Sequence, residues 1–372
     1  MPNPANPKVD AKAPRIVFMG AGAVGGYVGG YLASAGHDVT LVDFWHDHIE
    51  AIRRDGVQLS GMTAEEAQVF RPKTLHMYEI GQLAKGGPID IAFITMKSYD
   101  TAWVTTMIKP YLAPSGYVVS LQNCINEETI AEIVGWGKTV GCIASRISVE
   151  LFEPGKIRRQ APKSAAGHTV FRVGEVHGRE TDRIRSLVEM LSLIDTTKAT
   201  TNLWGERWSK LCHNAMRNGI AAATGLAGRE IDQHDHIRNF TLLLGGEAVA
   251  VGQALGFSLE RIGKLDPAVV LAASRGDAEA LAKANEILIG ESGTGGRGAL
   301  QRPSMGQDMA KGRRTEIDEI NGFIVRKGQQ IGIDAPNNAR LVELVKRVER
   351  GELAPSLDNI PPSWSAALTH SR

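Results

Sequence analysis

The chain has 372 residues, more than one ordinary domain, with 43% hydrophobic and 22% charged side chains. Its 42 basic groups nearly balance 41 acidic ones, and a formal charge of +1 gives no electrostatic case for nucleic acid or an acidic membrane surface. Cys124, Cys142 and Cys212 are too few and too scattered for a disulfide framework and make no metal-binding pattern, so reduced thiols in a cytoplasmic protein without a metal site are expected.

In chain order, the polar, proline-rich start predicts a loose tail over residues 1–13 rather than a secretion signal. Residues Ile16 to Gly36 carry no charge and are long enough to span a membrane, with small residues Gly22, Gly26 and Gly30 four apart. Their glycines and Ser34 favour a short buried strand, Ile16-Val-Phe-Met19, followed by a turn and a helix from Val24 to Ala35. Further strands are predicted over Val39–Val42, Ile89–Thr95, Tyr117–Leu121 and Thr139–Ser145, and helices over Asp47–Asp55, Tyr99–Tyr111 and Glu127–Val134. The alternation yields a parallel sheet covered on both faces. Residues 148–173 read as extra strands at that sheet's edge, turning at Pro154-Gly155.

Beyond Arg179 the texture becomes helical, with helices predicted over Leu203–Ala223, Phe240–Leu255, Asp266–Ala273, Ala278–Ile289 and Thr315–Gly332. Asp266-Pro267 fits a cap followed by a first-turn proline, and Asn202 could cap the helix after it. Residues 290–298 read as a flexible loop by composition. The fold class is α/β: a Rossmann-type doubly wound sheet over residues 14–200, an all-helical substrate and dimerisation domain over 201–350, and an extended tail over 351–372.

The turn Gly20-Ala21-Gly22-Ala23-Val24-Gly25 follows a strand, opens a helix, and is followed by a second strand ending in an acid. That context makes it a dinucleotide site rather than a packing turn: Gly20 for the tight turn, Gly22 for approach of the backbone to the pyrophosphate, and Gly25 for contact of helix and strand. The helix N-terminus supplies amide donors and a favourable field for phosphate. Asp43 lies about twenty residues on, where a carboxylate accepts hydrogen bonds from the adenosine ribose and repels a 2′-phosphate. Phe44-Trp45-His46 offers no cation for that phosphate, which favours NAD, with NADP possible; the alternative for Asp43 is a helix cap.

The fingerprint, with Ala35-Gly-His-Asp-Val-Thr40 after it, resembles the ketopantoate reductase (2-dehydropantoate 2-reductase) family. Two later segments are similar to that family's catalytic and substrate-binding stretches: Trp208-Ser-Lys210-Leu-Cys-His-Asn214-Ala-Met-Arg-Asn218, and Ser304-Met-Gly-Gln-Asp308 continued by Arg314-Thr-Glu316-Ile-Asp-Glu-Ile-Asn321-Gly322. Met96-Lys97 and Leu121-Gln-Asn123 extend the likeness, which spans about residues 14 to 348.

The resemblance implies hydride transfer between NAD(P)H and a 2-oxo acid, 2-dehydropantoate to pantoate, with Lys210 as general acid and oxyanion stabiliser. It places Asn123 on the substrate carbonyl or the nicotinamide ribose, Asn214, Asn218 and Ser304 on the acid, Asp308 as a brace, and Lys97 near the cofactor. Residues 210, 214 and 218 are four apart and share a helix face, although a lone lysine is more often a solvated one. Thr315-Glu-Ile-Asp318 reads as a capping box that would hold Glu316 ionised beside Lys210, its alternative being a purely capping role. His213, the rival acid, sits about 100° round that helix and is expected to face elsewhere. Cys124 and Cys212 read as packing residues.

Three departures bear on substrate and cofactor: Asp43 replaces the family's basic residue, Cys124 replaces a glycine after Asn123, and the segment between Gly256 and Ser304 is longer. They bring forward a second reading, an NAD-dependent D-2-hydroxyacid dehydrogenase acting on another, larger acid. A third, from another class, is a non-catalytic NAD-binding regulatory protein, for which the lysine, asparagines and glutamate would be superfluous. The expected partners are a small 2-oxo or 2-hydroxy acid and a second copy in a possible homodimer, with no nucleic acid and no membrane.

Overall fold

The computed structural model describes residues 13–145, 147–163, 168–293 and 302–369. The chain alternates β1 (Arg15–Met19), α1 (Ala23–Ser34), β2 (Asp38–Asp43), α2 (His46–Asp55), β3 (Val57–Ser60), β4 (Gln68–Phe70), β5 (Lys73–His76), β6 (Ile89–Ile94), α3 (Thr101–Ile108), β7 (Leu112–Ser120), α4 (Glu127–Val134) and β8 (Thr139–Ala144). It continues through β9 (Val149–Glu153), β10 (Lys156–Arg159), β11 (Phe171–Glu175), α5 (Asp182–Ser192) and β12 (Thr197–Ala199). The main sheet has eight strands in the order β12-β11-β8-β7-β6-β1-β2-β5, parallel except where β11 meets β8. β1 is flanked by β2 and β6, so the strand order reverses there and the crevice at the strands' C-terminal ends opens beside Gly20. Residues 16–36 are accordingly a strand, a turn and a helix, and no described helix is long and apolar enough to cross a membrane.

Apolar residues on one sheet face pack with α1 and α5, as in the Phe18–Phe93 stack at 4.6 Å, while Val17, Met19, Ala92 and Ile94 point to the other face. Residues 148–173 differ from the expectation of extra strands at the sheet's edge. Only β11 joins the main sheet, whereas β9 and β10 form a separate four-stranded sheet in the order β4-β3-β10-β9. The sequence does not betray β3, β4 and β5, because three or four mixed residues are too few for an alternation to show.

The second half comprises α6 (Leu203–Thr224), α7 (Glu230–Gln233), α8 (Asp235–Ala254), α9 (Pro267–Ser274), α10 (Ala278–Gly293), α11 (Ser304–Ala310), α12 (Asn321–Gln330), α13 (Pro336–Glu349) and α14 (Ala366–Thr369). Their core is centred on α6 and α8, with Trp208, Phe240 and Leu341 fully buried. Asp266 caps α9 through Ala268 N at 2.8 Å, but Asn202 does not cap α6; its Nδ2 donates to Ser258 O instead. The helix expected from Thr315 starts only at Asn321, because residues 316–320 are turns, so the capping box is not formed. The tail after Gly351 is not extended either. Ile360 and Leu368 are buried and Trp364 packs on Phe240 at 5.2 Å, so apolar contacts outweigh the prolines. Residues 1–12 of the expected tail over 1–13, and most of the expected loop, residues 294–298, lie outside the described residues, while residues 290–293 end α10.

Candidate active site

A cleft of about 1430 Å³ runs from the glycine turn to α6 and α11. At the turn, sterics decide the residue type. A Cβ on Gly20, whose φ is +116°, would lie 2.9 Å from Met96 N, and one on Gly25 would lie 2.0 Å from Gly20 O. A Cβ on Gly22 would meet nothing within 4 Å, so that residue has no packing reason to be glycine and leaves room for a group in the cleft. Gly20, Gly22, Ala23 and Val24 line the cleft. Ala21 and Gly25 do not; they shape the turn from behind, Ala21 being fully buried.

Asp43 is placed differently from the expected free ribose acceptor. Its Oδ2 accepts from Ala21 N at 2.7 Å and its Oδ1 from Trp45 N at 2.9 Å, so the carboxylate ties the end of β2 to the glycine turn while lining the cleft. His48 holds the other side of Ala21. Gly155 N donates to its Nδ1 at 2.9 Å, which leaves Nε2 to donate to Ala21 O at 2.8 Å. Burial lowers the His48 pKa and keeps the ring neutral. This clamp escaped sequence reasoning, since nothing local links positions 48 and 155.

At the other end, α6 presents Lys210, Asn214 and Asn218 to the cleft, joined by Ser304 from α11. The helix is riveted to the sheet by Arg207, 1% exposed. Its Nε donates to Glu127 Oε1 at 2.7 Å, Nη1 to Gln122 O at 2.7 Å and Nη2 to Ser120 O at 2.7 Å. Lys210 Nζ donates to Ala144 O. Burial, then the neighbouring Arg207 cation, brings the Lys210 pKa down to about 8, in reach of proton donation near neutrality. Asn214 Nδ2 and Ser304 Oγ are buried with no hydrogen-bond partner. Unpaired buried groups are costly, and two on one cleft wall fit a polar ligand. His213, contrary to expectation, also reaches the cleft.

Glu316 does not sit on Lys210. Its Oε1 accepts from Ser98 N and Oγ, both at 2.9 Å, and its Oε2 lies 3.3 Å from Lys97 Nζ. Lys97 also pairs with Asp308 at 2.5 Å, so Asp308 braces the cleft by crossing to the sheet half. Burial opposes ionisation of Glu316, but Lys97 and the two Ser98 donors overcome it and hold the pKa below the usual carboxylate range. Burial alone would discharge Lys97, yet Glu316 and Asp308 keep it firmly protonated. Asn123 lines the cleft after β7, its carbonyl accepting from Asn126 Nδ2 at 2.8 Å. Cys124 follows it with a left-handed φ of 65°, a conformation that favours glycine, and is buried, as are Cys142 and Cys212. Among the described residues no group of His, Cys, Asp and Glu could hold a metal ion.

A turn shaped for a dinucleotide, facing a lysine poised to lose its proton across one cleft, defines a nicotinamide-dependent oxidoreductase acting on a CH–OH group. Comparison with known proteins makes the class specific. Residues 16–170 match the family model for ketopantoate reductase PanE/ApbA, and residues 202–349 match that of its C-terminal part. The chain belongs to the ketopantoate reductase family. It is 28% identical to the 2-dehydropantoate 2-reductase of Archaeoglobus fulgidus, over 91% of this chain and 98% of that one. A crystal structure of a PanE/ApbA family ketopantoate reductase from Ralstonia eutropha JMP134 aligns with a TM-score of 0.71 at 26% identity, covering 91% of this chain and 99% of that one. D-mandelate dehydrogenase, solved with NADH and anilino(oxo)acetate, shares the fold at a TM-score of 0.72 and 22% identity, covering 91% of this chain and 98% of that one.

Proposed function

We propose that the chain reduces a 2-oxo acid to the 2-hydroxy acid, with 2-dehydropantoate as first substrate and Lys210 as general acid. The observation that carries this reading is the depressed lysine on the same cleft wall as the unpaired Asn214 Nδ2 and Ser304 Oγ. When bound, reduced nicotinamide supplies a hydride to the carbonyl carbon. The Lys210 ammonium hydrogen-bonds the carbonyl oxygen as negative charge grows there, then gives it a proton and is itself reprotonated from solvent. Asn214, Asn218 and Ser304 orient the carboxylate and hydroxyl groups of the acid. Asn123 holds the carbonyl or the nicotinamide ribose.

Gly20, Gly22, Ala23 and Val24 would hold the pyrophosphate, with Ala21 and Gly25 supporting them and Lys97 flanking the nicotinamide side. Asp43 favours NAD, since its charge stands at the end of β2 even with both oxygens engaged. A second reading, a 2-hydroxyacid dehydrogenase for a larger acid, is favoured by the long segment before Ser304, which contains α9 and α10.

A panel of 2-oxo and 2-hydroxy acids, assayed with both dinucleotides, tests the proposal. Turnover of 2-dehydropantoate above the others supports the first reading, and preference for a bulkier acid the second. Lys210→Ala is expected to lower kcat/KM by about a hundredfold or more with dinucleotide affinity within about twofold. Unchanged turnover in that variant removes Lys210 from the reaction.

A further inference from the structure

The sequence after β2 supplies no cation for a 2′-phosphate, but the fold brings one from the other half. Residues 308–316 cross the cleft as a strap. Lys311 Nζ reaches Leu151 O at 3.0 Å on β9, Arg314 lies over the Tyr99 ring at 4.4 Å, and Asp308 and Glu316 hold Lys97. Between these anchors the Arg313 guanidinium lies over the Trp45 indole, 5.1 Å from its centroid.

The position of Arg313 is set by the end of α11. Arg313 N donates to Asp308 O at 2.9 Å and Gly312 N to Met309 O at 3.1 Å, with Gly312 left-handed at φ 62°. That pair of bonds closes the helix with a glycine and sends the next side chain in one direction. Trp45 is the second residue after Asp43, the place where a dinucleotide-binding sheet meets the adenosine ribose. Arg313 and Trp45 both line the cleft there. Arg217 and Arg314, which also line it, have carboxylate partners in Asp232 and Glu319, whereas no described carboxylate pairs with Arg313. Stacking on the ring face leaves the N–H edges of the guanidinium available, and a planar cation with free edges is suited to phosphate.

We infer that Arg313 is a cofactor-specificity residue that binds the 2′-phosphate of NADP across the cleft, so that one pocket accepts both dinucleotides, Asp43 serving the 2′-hydroxyl and Arg313 the 2′-phosphate. This rests on the nicotinamide reading above. Because Asp43 already accepts two backbone N–H groups, its charge is partly offset and the phosphate is met by a cation on its far side.

The test is calorimetric binding of NADH, NADPH, 5′-AMP and adenosine 2′,5′-bisphosphate to the unaltered chain, Arg313→Ala and Arg313→Lys. In Arg313→Ala the two 2′-phosphorylated probes are expected to weaken by roughly tenfold to a hundredfold, the others by under about threefold, with Arg313→Lys between. Equal weakening of all four would overturn the inference and make Arg313 a contact of the shared adenosine moiety. No weakening of any would overturn it as well. If the unaltered chain binds NADH but not NADPH, the inference alone fails; if it binds no probe, the nicotinamide reading falls with it. Arg313 is exposed, and unchanged Tm in both variants shows that the fold is intact.

Discussion

At the glycine-turn end of the cleft the Ala21 peptide is held on both sides, whereas on the Lys210 wall two buried groups have no partner. Ala21 is held at its N–H by Asp43 and at its carbonyl by His48, so the turn is rigid before anything binds. Around Lys210 the protein instead tolerates an unpaired Asn214 amide, an unpaired Ser304 hydroxyl and a lysine whose charge is disfavoured by burial. The Lys210 wall thus offers buried polar groups that a polar ligand would satisfy.

The largest effect is expected where α6 is pinned to the sheet. Arg207→Ala would leave Glu127 buried and unpaired and is expected to cost about 3–5 kcal/mol in chemical denaturation. A loss below about 1 kcal/mol would show that α6 is held elsewhere. At the dinucleotide end, Gly25→Ala is expected to destabilise by about 3 kcal/mol through its clash with Gly20 O. Gly22→Ala, with open space before it, should keep its Tm and lose about tenfold or more in dinucleotide affinity. Equal stability losses in the two variants would contradict the distinct roles assigned to these glycines.

The acid end is sharpened by pH. With Lys210 as the proposed proton donor, that donor is lost as pH rises through about 8, so kcat/KM for reduction should fall about tenfold per unit above that pH, and oxidation should show the reverse. A flat profile to pH 10 would separate Lys210 from proton transfer. Stability runs the opposite way to reduction: the folded chain binds this proton less tightly than the unfolded one, so this group adds stability as pH rises from about 8 toward its ordinary 10.5. The smallest effect is expected at Ser304→Ala. Deleting an unpaired hydroxyl should change stability by under about 0.5 kcal/mol while raising the KM for the acid several-fold. A marked loss of stability would mean that the hydroxyl has a structural partner.

Much of this was legible in the residues. The alternation of apolar runs gives the strands that carry the site, and Gly20 and Gly25 stand where the steric demands of the turn fall, while Gly22 faces open space. The four-residue spacing of Lys210, Asn214 and Asn218 gives a shared face because helical geometry is local. Other features were misread for one reason: they depend on pairing between distant segments. The Thr315-Glu-Ile-Asp318 pattern is a good capping box by itself, but Glu316 finds stronger partners in Lys97 and two Ser98 donors, and the helix waits until Asn321. The short strand β3 exists because β10 gives it a neighbour, and β4 in turn pairs with β3.

By itself, then, the sequence determined the glycine turn, the stripe on α6 and the division into a sheet half and a helical half, all consequences of spacing along the chain. Only the tertiary structure decided that Asp43 is bound into the turn, that Lys97 and not Lys210 holds Glu316, and that a cation from residue 313 reaches Trp45. Charges are satisfied by whatever lies within a few ångströms, and residues more than two hundred positions apart become neighbours only when the two halves close on each other.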